Sequence, residues 1–451
     1  MRTTGRAVVL TVCAVLLGSC GNPDGAGGAS GEASRPTATT PDPDATPSSA
    51  PSSAPVPRGK GGKVPGDVNG DGHPDFAYTA QCEGDEPTDG KNCIVVLYGS
   101  DRGLDPAVRT VLKSSDAATP EYVNTYPAWN PALTDLDGDG YADIQYGASV
   151  IWGGPTGPRP DAPDVAVPGG APGDFDADGH TDLAVVETRV QYPGFRVMYG
   201  PFDRQGKPDH WGDLRSSPFR ESSDEGYGLH AGDADGDRTA DLLATAGTDG
   251  GQGRAALLRA AREPARQLRV GSSVVFGDFD GDGKGDVVVG DSGSRNDEPG
   301  YETEAPEVDG TLTVYFGDGG EAQQLTGLSG EFTSGDLDGD GFDELLVQPP
   351  TGFGPSRRPE ITVLHGTAQG LGKRTTLRRT GPVHVPGAKH NLSAYKRYAA
   401  LATVGDFDGD GHAEAVLRWF LPSGGPSWWW IVEDDKDVRT FTDSPFTETG
   451  F

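Results

Sequence analysis

Seven times this chain writes a nine-residue acidic loop, Asp-x-Asp-x-Asp-Gly-x-x-Asp or a near copy, beginning at Asp67, Asp135, Asp174, Asp233, Asp278, Asp336 and Asp406. Oxygens at positions 1, 3 and 5, a backbone carbonyl at 7 and a carboxylate at 9 supply most of the six to eight oxygen ligands that a calcium ion takes. The first loop offers Asp67, Asn69, Asp71, the His73 carbonyl and Asp75. The second offers Asp135, Asp137, Asp139, Tyr141 and Asp143, and the third Asp174, Asp176, Asp178, His180 and Asp182. The fourth has Asp233, Asp235, Asp237 and Asp241, and the fifth Asp278, Asp280, Asp282, Lys284 and Asp286. The sixth has Asp336, Asp338, Asp340, Phe342 and Glu344, and the seventh Asp406, Asp408, Asp410, His412 and Glu414. Up to seven structural calcium ions are expected.

Position 6 must turn the chain back on the ion, which suits glycine. It is Gly72, Gly140, Gly179, Gly283, Gly341 and Gly411, but Arg238 in the fourth loop, so that site is expected to be the weakest or empty. His73, His180 and His412 share position 7, which ligates through its carbonyl; their imidazoles are expected to point to solvent. An EF-hand or dockerin loop needs a ligand at position 12 and a helix after it. Here position 12 is Tyr78, Tyr146, Val185, Ala244, Val289, Val347 or Leu417. Each loop runs instead into a short apolar stretch such as Asp286-Val-Val-Val-Gly290, which reads as a strand. A single acidic, Gly-rich stretch is equally a solvated turn; seven in phase are an architecture.

The elements that position these loops follow from the repeat. Downstream of each loop comes a second apolar run, usually ending in an aromatic residue and Gly: Val95 to Gly99, Val150 to Gly153, Arg196 to Gly200, Leu312 to Gly317 and Ile361 to Gly366. The fourth copy is reduced to Ala255–Leu258, and the seventh is Trp428 to Val432. A further strand is expected after most of them. Four antiparallel strands per unit, seven units and no credible amphipathic helix predict an all-β fold, a seven-bladed β-propeller with calcium loops between the first two strands of the blades. Only Lys63-Val64-Pro65 remains as an inner strand for the first unit, and the last unit keeps its own outer strand.

The Gly-Asp-Phe-Asp-Gly-Asp-Gly pattern around Asp278, with Val-Val-Val-Gly and then Val-Tyr-Phe-Gly after it, resembles the FG-GAP repeat of integrin α-subunit propellers and of bacterial FG-GAP or VCBS repeat proteins. The resemblance covers roughly residues 64–445. It implies a seven-bladed propeller whose calcium ions are structural and brace hairpins away from the ligand-binding face.

The formal net charge is -31. The ligand positions hold 27 carboxylates, three in the first loop and four in each of the others, so metal sites account for most of the acidity. No basic patch is visible, which argues against nucleic acid as a partner. Residues 1–20 read as a signal peptide: Arg2 and Arg6 precede an apolar stretch from Ala7 to Leu17, too short for a spanning helix. It ends in Leu17-Gly18-Ser19-Cys20, which resembles the lipobox of bacterial lipoproteins, with Cys20 as the lipidated residue. Residues 21–63, poor in anything that buries a core, read as a disordered tether, and 446–451 as a tail. In an exported chain Cys82 and Cys93 are expected to form a disulfide. The protein is thus expected on the outer face of the cell membrane, lipid-anchored and monomeric.

No catalytic motif is found: no His-Glu-x-x-His, no Gly-x-Ser-x-Gly, no phosphate loop. Ser393-Ala-Tyr-Lys396 matches Ser-x-x-Lys without its companion motifs and reads as chance. Trp428, Trp429 and Trp430 alternate across a strand; packing between blades seven and one is the expectation, and an exposed Trp for sugar stacking the alternative. Trp129 and Trp211 lie in longer connections. The stretches 114–131, 200–228, 291–310 and 380–400 are the expected ligand surface. The function expected is a binding or scaffold module for a surface protein or glycan; the alternative is a glycan-active propeller, lectin or polysaccharide lyase.

Overall fold

The run after each acidic loop is apolar at every position because both of its faces are buried. Val287, Val288 and Val289 are at most 1% exposed. Successive side chains of a strand point to opposite faces. Val287 and Val289 therefore pack on the preceding sheet and Val288 on the following one. The same division holds for Leu345, Leu346 and Val347, and for Ala415, Val416 and Leu417.

A computed structural model describes residues 53–82, 91–113, 130–187, 194–219, 227–248, 250–262, 264–296, 303–350, 360–385, 391–420 and 427–443. The signal peptide, Cys20, most of the tether, Trp129, the tail and the Cys82 side chain lie outside them. The first sheet holds β1 (Phe76–Cys82), β2 (Lys91–Leu97) and β3 (Arg109–Lys113); the second β4 (Ala132–Thr134), β5 (Asp143–Tyr146), β6 (Ser149–Ile151) and β7 (Val165–Ala166). The third holds β8 (Ala171–Gly173), β9 (Asp182–Glu187), β10 (Gly194–Tyr199), and β11 (His210–Trp211) and β12 (Arg215–Ser216), both paired with β10. The fourth is β13 (Tyr227–Gly232), β14 (Asp241–Ala246), β15 (Arg254–Leu258) and β16 (Arg266–Val270). The fifth is β17 (Ser273–Gly277), β18 (Asp286–Gly290), β19 (Thr311–Tyr315) and β20 (Gln323–Thr326). The sixth is β21 (Glu331–Gly335), β22 (Glu344–Gln348), β23 (Ile361–Leu364) and β24 (Arg374–Leu377). The seventh is β25 (Ala400–Gly405), β26 (Glu414–Trp419), β27 (Trp428–Glu433) and β28 (Lys436–Thr442). Every pairing within the sheets is antiparallel.

Seven apolar clusters join these sheets, and each spans one neighbouring pair. Val68, Ile94 and Tyr98 meet Ile144 and Ile151 between the first two; the series continues round to Trp429, Ile431 and Phe441, which meet Phe76, Tyr78 and Val95. Seven sheets with seven shared cores close a ring, so the fold is a seven-bladed β-propeller. Lys63-Val64-Pro65 is not a strand; the first blade has three strands among the described residues, while the seventh keeps four of its own. Among the described residues, side-chain packing and the Ser100 N–H bond to the Phe407 carbonyl join blades seven and one. All three of Trp428, Trp429 and Trp430 are buried, but only Trp429 packs between blades seven and one; its two neighbours face blade six. Residues beginning at Ala54 run over the first two blades, where Lys60 donates to the Gly70 carbonyl and Gly62 to that of Gly140.

Candidate metal centres

In blades two to seven the acidic loop joins the first two strands, as between β17 and β18, and in blade one it leads directly into β1. Antiparallel order sets all of these loops at the same end of the blades, together with the turns from third to fourth strand. In every loop the position 1 carboxylate folds the chain around itself. Asp278 accepts the Asp282 N–H at 3.1 Å and the Gly283 N–H at 3.0 Å. Asp67 takes the same groups of Asp71 and Gly72, and Asp406 those of Asp410 and Gly411. This fold requires a left-handed residue at position 6, where φ is 81° at Gly283 and 69° at Arg238. It requires another at position 4, which is Ala177 in the third loop, with φ 63°.

The position 9 carboxylates are the buried ones: Asp143, Asp182, Asp286 and Glu344 are 0% exposed. Each clamps two backbone segments. Asp286 accepts the Phe279 N–H at 3.0 Å and the Gly317 N–H at 2.9 Å. Asp75 holds Val68 and Gly99, Asp143 holds Leu136 and Gly153, and Asp182 holds Phe175 and Gly200. The aromatic-Gly ending of the third strand thus exists to present a glycine N–H to this carboxylate. Burial, opposed by those N–H groups and reinforced by the neighbouring Asp side chains, pushes Asp143 and Glu414 up to about 8, Asp286 and Glu344 to about 7, and Asp182 to about 6. Asp75 is raised well above its ordinary value for the same reason.

The donor atoms converge. In the second, third and fourth loops one oxygen from each of positions 1, 3 and 9 lies within 4.8 Å of the other two, and in the fifth the same holds for Asp278, Asp280 and Asp282. An all-oxygen cluster with one buried carboxylate fits a hard divalent ion, which would neutralise charge that burial otherwise penalises.

The loops also touch one another. In six of the seven loops the position 7 side chain covers position 4 of the loop before it: a Cβ at Gly281 would lie 2.6 Å from the Phe342 ring, and one at Gly339 2.5 Å from His412. Tyr141 covers Gly70 and His180 covers Gly138; His73, the least intimate, covers Gly409 and closes the circle. His73, His180 and His412 therefore do not point freely to solvent. They are half-buried against neighbouring loops, and His73 Nε2 meets Asp101 at 2.9 Å. The backbone follows the same order, with the N–H of Ala142, Ala240, Gly285, Asp343 and Ala413 donating to the position 1 carbonyl of the preceding loop.

Three cationic or basic residues at the loops are not foreseen by the acidic pattern. Arg204 pairs with Asp137 and Asp139, both at 2.5 Å. His365 Nδ1 lies 3.5 Å from Asp338 and 3.4 Å from Glu344, beside a cavity of about 240 Å³ between blades six and seven. Arg259 reaches Asp235 and Asp241. His365 and Arg259 occupy the place that Tyr98, Trp152 and Tyr199 hold before the clamped residue, so aligning the third strands would have exposed them.

Among the expected ligand-surface residues, Trp211 is 47% exposed on the outer edge of blade three. Lys396 ends a single 3-10 turn whose first flanking residue, Ser393, makes no side-chain cap.

A ring of seven antiparallel sheets carrying an acidic loop in each defines a repeat-built β-propeller. The FG-GAP repeat family model matches residues 270–303, which are β17, the fifth loop, β18 and the start of the connection after it. The chain is a seven-bladed β-propeller that carries an FG-GAP repeat in its fifth blade. No curated protein matches it. Among solved structures it is similar to the V. cholerae biofilm matrix protein Bap1, at 10% identity over 86% of this chain and 90% of that one, with a TM-score of 0.33. It is also similar to an ACO/RPE65 chimera, at 9% identity over 88% and 94% with a TM-score of 0.39, and to a Synechocystis apocarotenoid oxygenase, at 9% over 88% and 94% with 0.36. Scores of that size carry no functional argument.

Proposed function

We propose that this is a calcium-stabilised propeller, lipid-anchored through Cys20 on the outer face of the cell membrane, that serves as a binding or scaffold module for a surface protein or glycan. The observation that carries the reading is the recurrence of one buried, backbone-clamping carboxylate beside two or three further oxygens in loop after loop. Asp67, Asn69, Asp71 and Asp75, and the equivalent residues of the later loops other than the fourth, would hold the ions. When bound, calcium supplies positive charge that lets the buried carboxylates stay ionised; the chain's own N–H groups orient them.

These ions brace one end of the blades. The connections from second to third strand and from fourth strand to the next blade leave the opposite end. Stretches 114–131, 291–310 and 380–400 belong to those connections, so the ligand surface is assigned to that rim. The 291–310 connection is pinned by Arg295, which bonds Asp291 and Asp309. A second reading, a lectin, is favoured by exposed Trp211, whose neighbour His210 stacks on Tyr199 at 4.5 Å between ring centres. Cys82 and Cys93 are assigned to a disulfide across the β1–β2 hairpin; the register sets Cys93 opposite Ala80, two residues from Cys82.

The test is a glycan array and a surface-protein binding screen with the mature protein, in calcium and in EGTA. A ligand captured only by the calcium form, and lost on substitution in the 291–310 or 380–400 connection, supports the reading. A ligand lost only on Trp211→Ala favours the lectin. Mass spectrometry of the mature N-terminus checks Cys20: an unlipidated terminus elsewhere removes the anchor.

A further inference from the structure

The fourth loop departs from the other six in ways that converge on one point. Its position 6 is Arg238, held left-handed with φ 69° where the others have glycine. Its third strand, β15, is followed by Arg259-Ala260, where five of the other blades have an aromatic residue and Gly. Ala260 still gives its N–H to Asp241 at 2.8 Å, as glycine does in other blades, and takes φ 44° to do so. That turn points Arg259 into the loop. Its Nη1 lies 2.5 Å from Oδ2 of Asp241, the position 9 carboxylate, and 3.3 Å from Oδ2 of Asp235 at position 3.

A calcium ion ligated by positions 1, 3, 5 and 9 would meet this guanidinium at two of its own ligands. Two like-charged groups do not share one small oxygen cluster. Arg259 also supplies what the ion would supply, charge-assisted bonds to a buried carboxylate that is costly to leave unpaired. Arg238 adds a second positive charge on the loop, so the two arginines together match the charge of a divalent ion. The second loop differs. Arg204 approaches its positions 3 and 5 only, and Gly140, Asp143 and the Trp152-Gly153 ending are intact.

We propose that the fourth loop is a metal-free copy in which the Arg259 guanidinium takes the place of the ion, leaving blade four independent of calcium while its neighbours depend on it. The residues there do not fit calcium. They would fit it once the arginines were removed, because Asp235 keeps its Oδ1 buried without a hydrogen bond.

The proposal rests on the calcium reading for its ion count but not for its account of Arg259, and the experiment separates the two. Ions per chain are counted by native mass spectrometry after EGTA dialysis and return of saturating calcium. Asp280→Asn in the fifth loop is expected to lose one ion relative to the wild type, whereas Asp235→Asn and the exposed Asp237→Asn lose none. The Arg238→Gly/Arg259→Gln double variant is expected to bind one ion more than the wild type. In EGTA, with no ion anywhere, Arg259→Gln is expected to melt about 5 °C below the wild type, because buried Asp241 then loses its charged partner. Loss of an ion in both fourth-loop variants, no gain in the double variant, or an unchanged EGTA melting curve for Arg259→Gln overturns the proposal. A wild type that binds no calcium at all removes the calcium reading instead, and the EGTA arm then decides the role of Arg259.

Discussion

Asn130 donates its side-chain amide to the Ala402 carbonyl at 2.6 Å, joining two residues 272 apart in sequence. Asn130 leads into β4 of blade two, and Ala402 sits at the bulge in β25 of blade seven. The blade between them has three strands among the described residues, so the bond spans the place where its innermost strand would lie.

Substitution at this seam should open the ring from its weakest point. Asn130→Ala is expected to cost about 1 kcal/mol, the net worth of one hydrogen bond. Trp429→Ala should cost about 3–5 kcal/mol, because it empties a fully buried site between blades seven and one. Arg418, whose guanidinium carbon lies 5.0 Å from that ring, would lose one of its three aromatic partners too. Urea unfolding of each variant checks both values.

Chelation should lower the melting temperature substantially. An ion bound only by the folded form adds about 4 kcal/mol for each site at 1,000 times its Kd. Differential scanning calorimetry with and without EGTA measures this, and superimposable curves would refute the calcium reading.

The same carboxylates fix the sign of the pH dependence without metal. Their folded values, raised to about 6 to 8, exceed the ordinary 3.8 of Asp and 4.5 of Glu. The folded chain therefore holds protons that the unfolded chain has released. This stabilisation is present in full below about pH 4 and is lost as the pH rises through 6 to 8. In EGTA the melting temperature should fall across that window, and the increment from added calcium should grow across it. Thermal melts from pH 5 to 8.5 in both buffers would show the two trends diverging.

Within one loop, the ligand positions should separate by burial. Asp286→Ala removes the acceptor of two backbone N–H groups in a closed site and is expected to cost about 2–5 kcal/mol even in EGTA. Asp282→Ala alters an exposed position and should leave EGTA stability within about 1 kcal/mol while weakening calcium binding. Equal losses in EGTA would contradict the division of labour.

The blade count was legible because the acidic loop and the apolar run after it recur with fixed spacing, and the run is apolar on both faces because each blade packs between two others. The outer strands of blade three were not legible: His210–Trp211 and Arg215–Ser216 are two polar or mostly exposed residues each, too short for an alternation to mark them. Position 4 was equally hidden. Its glycines serve both a left-handed turn and the neighbouring loop's side chain, and the second reason exists only in three dimensions. The imidazoles at position 7 were misassigned for that same cause, since a single loop considered alone has no neighbour to cover.

The contacts between loops all run the same way round. Position 7 leans on the loop before it in six of the seven seams, and position 8 donates to that loop's first carbonyl in five. Such a circle has a polarity. A disturbance in the sixth loop unsettles the platform Phe342 forms over the fifth and leaves the seventh leaning on a loop that has shifted. Pro74, at position 8 of the first loop, has no N–H to give, so the circle has a start and a finish. Ion release is then expected as a directional wave that weakens at the two seams without this bond, one of them the seam that Asn130 fastens from the other side of the blade.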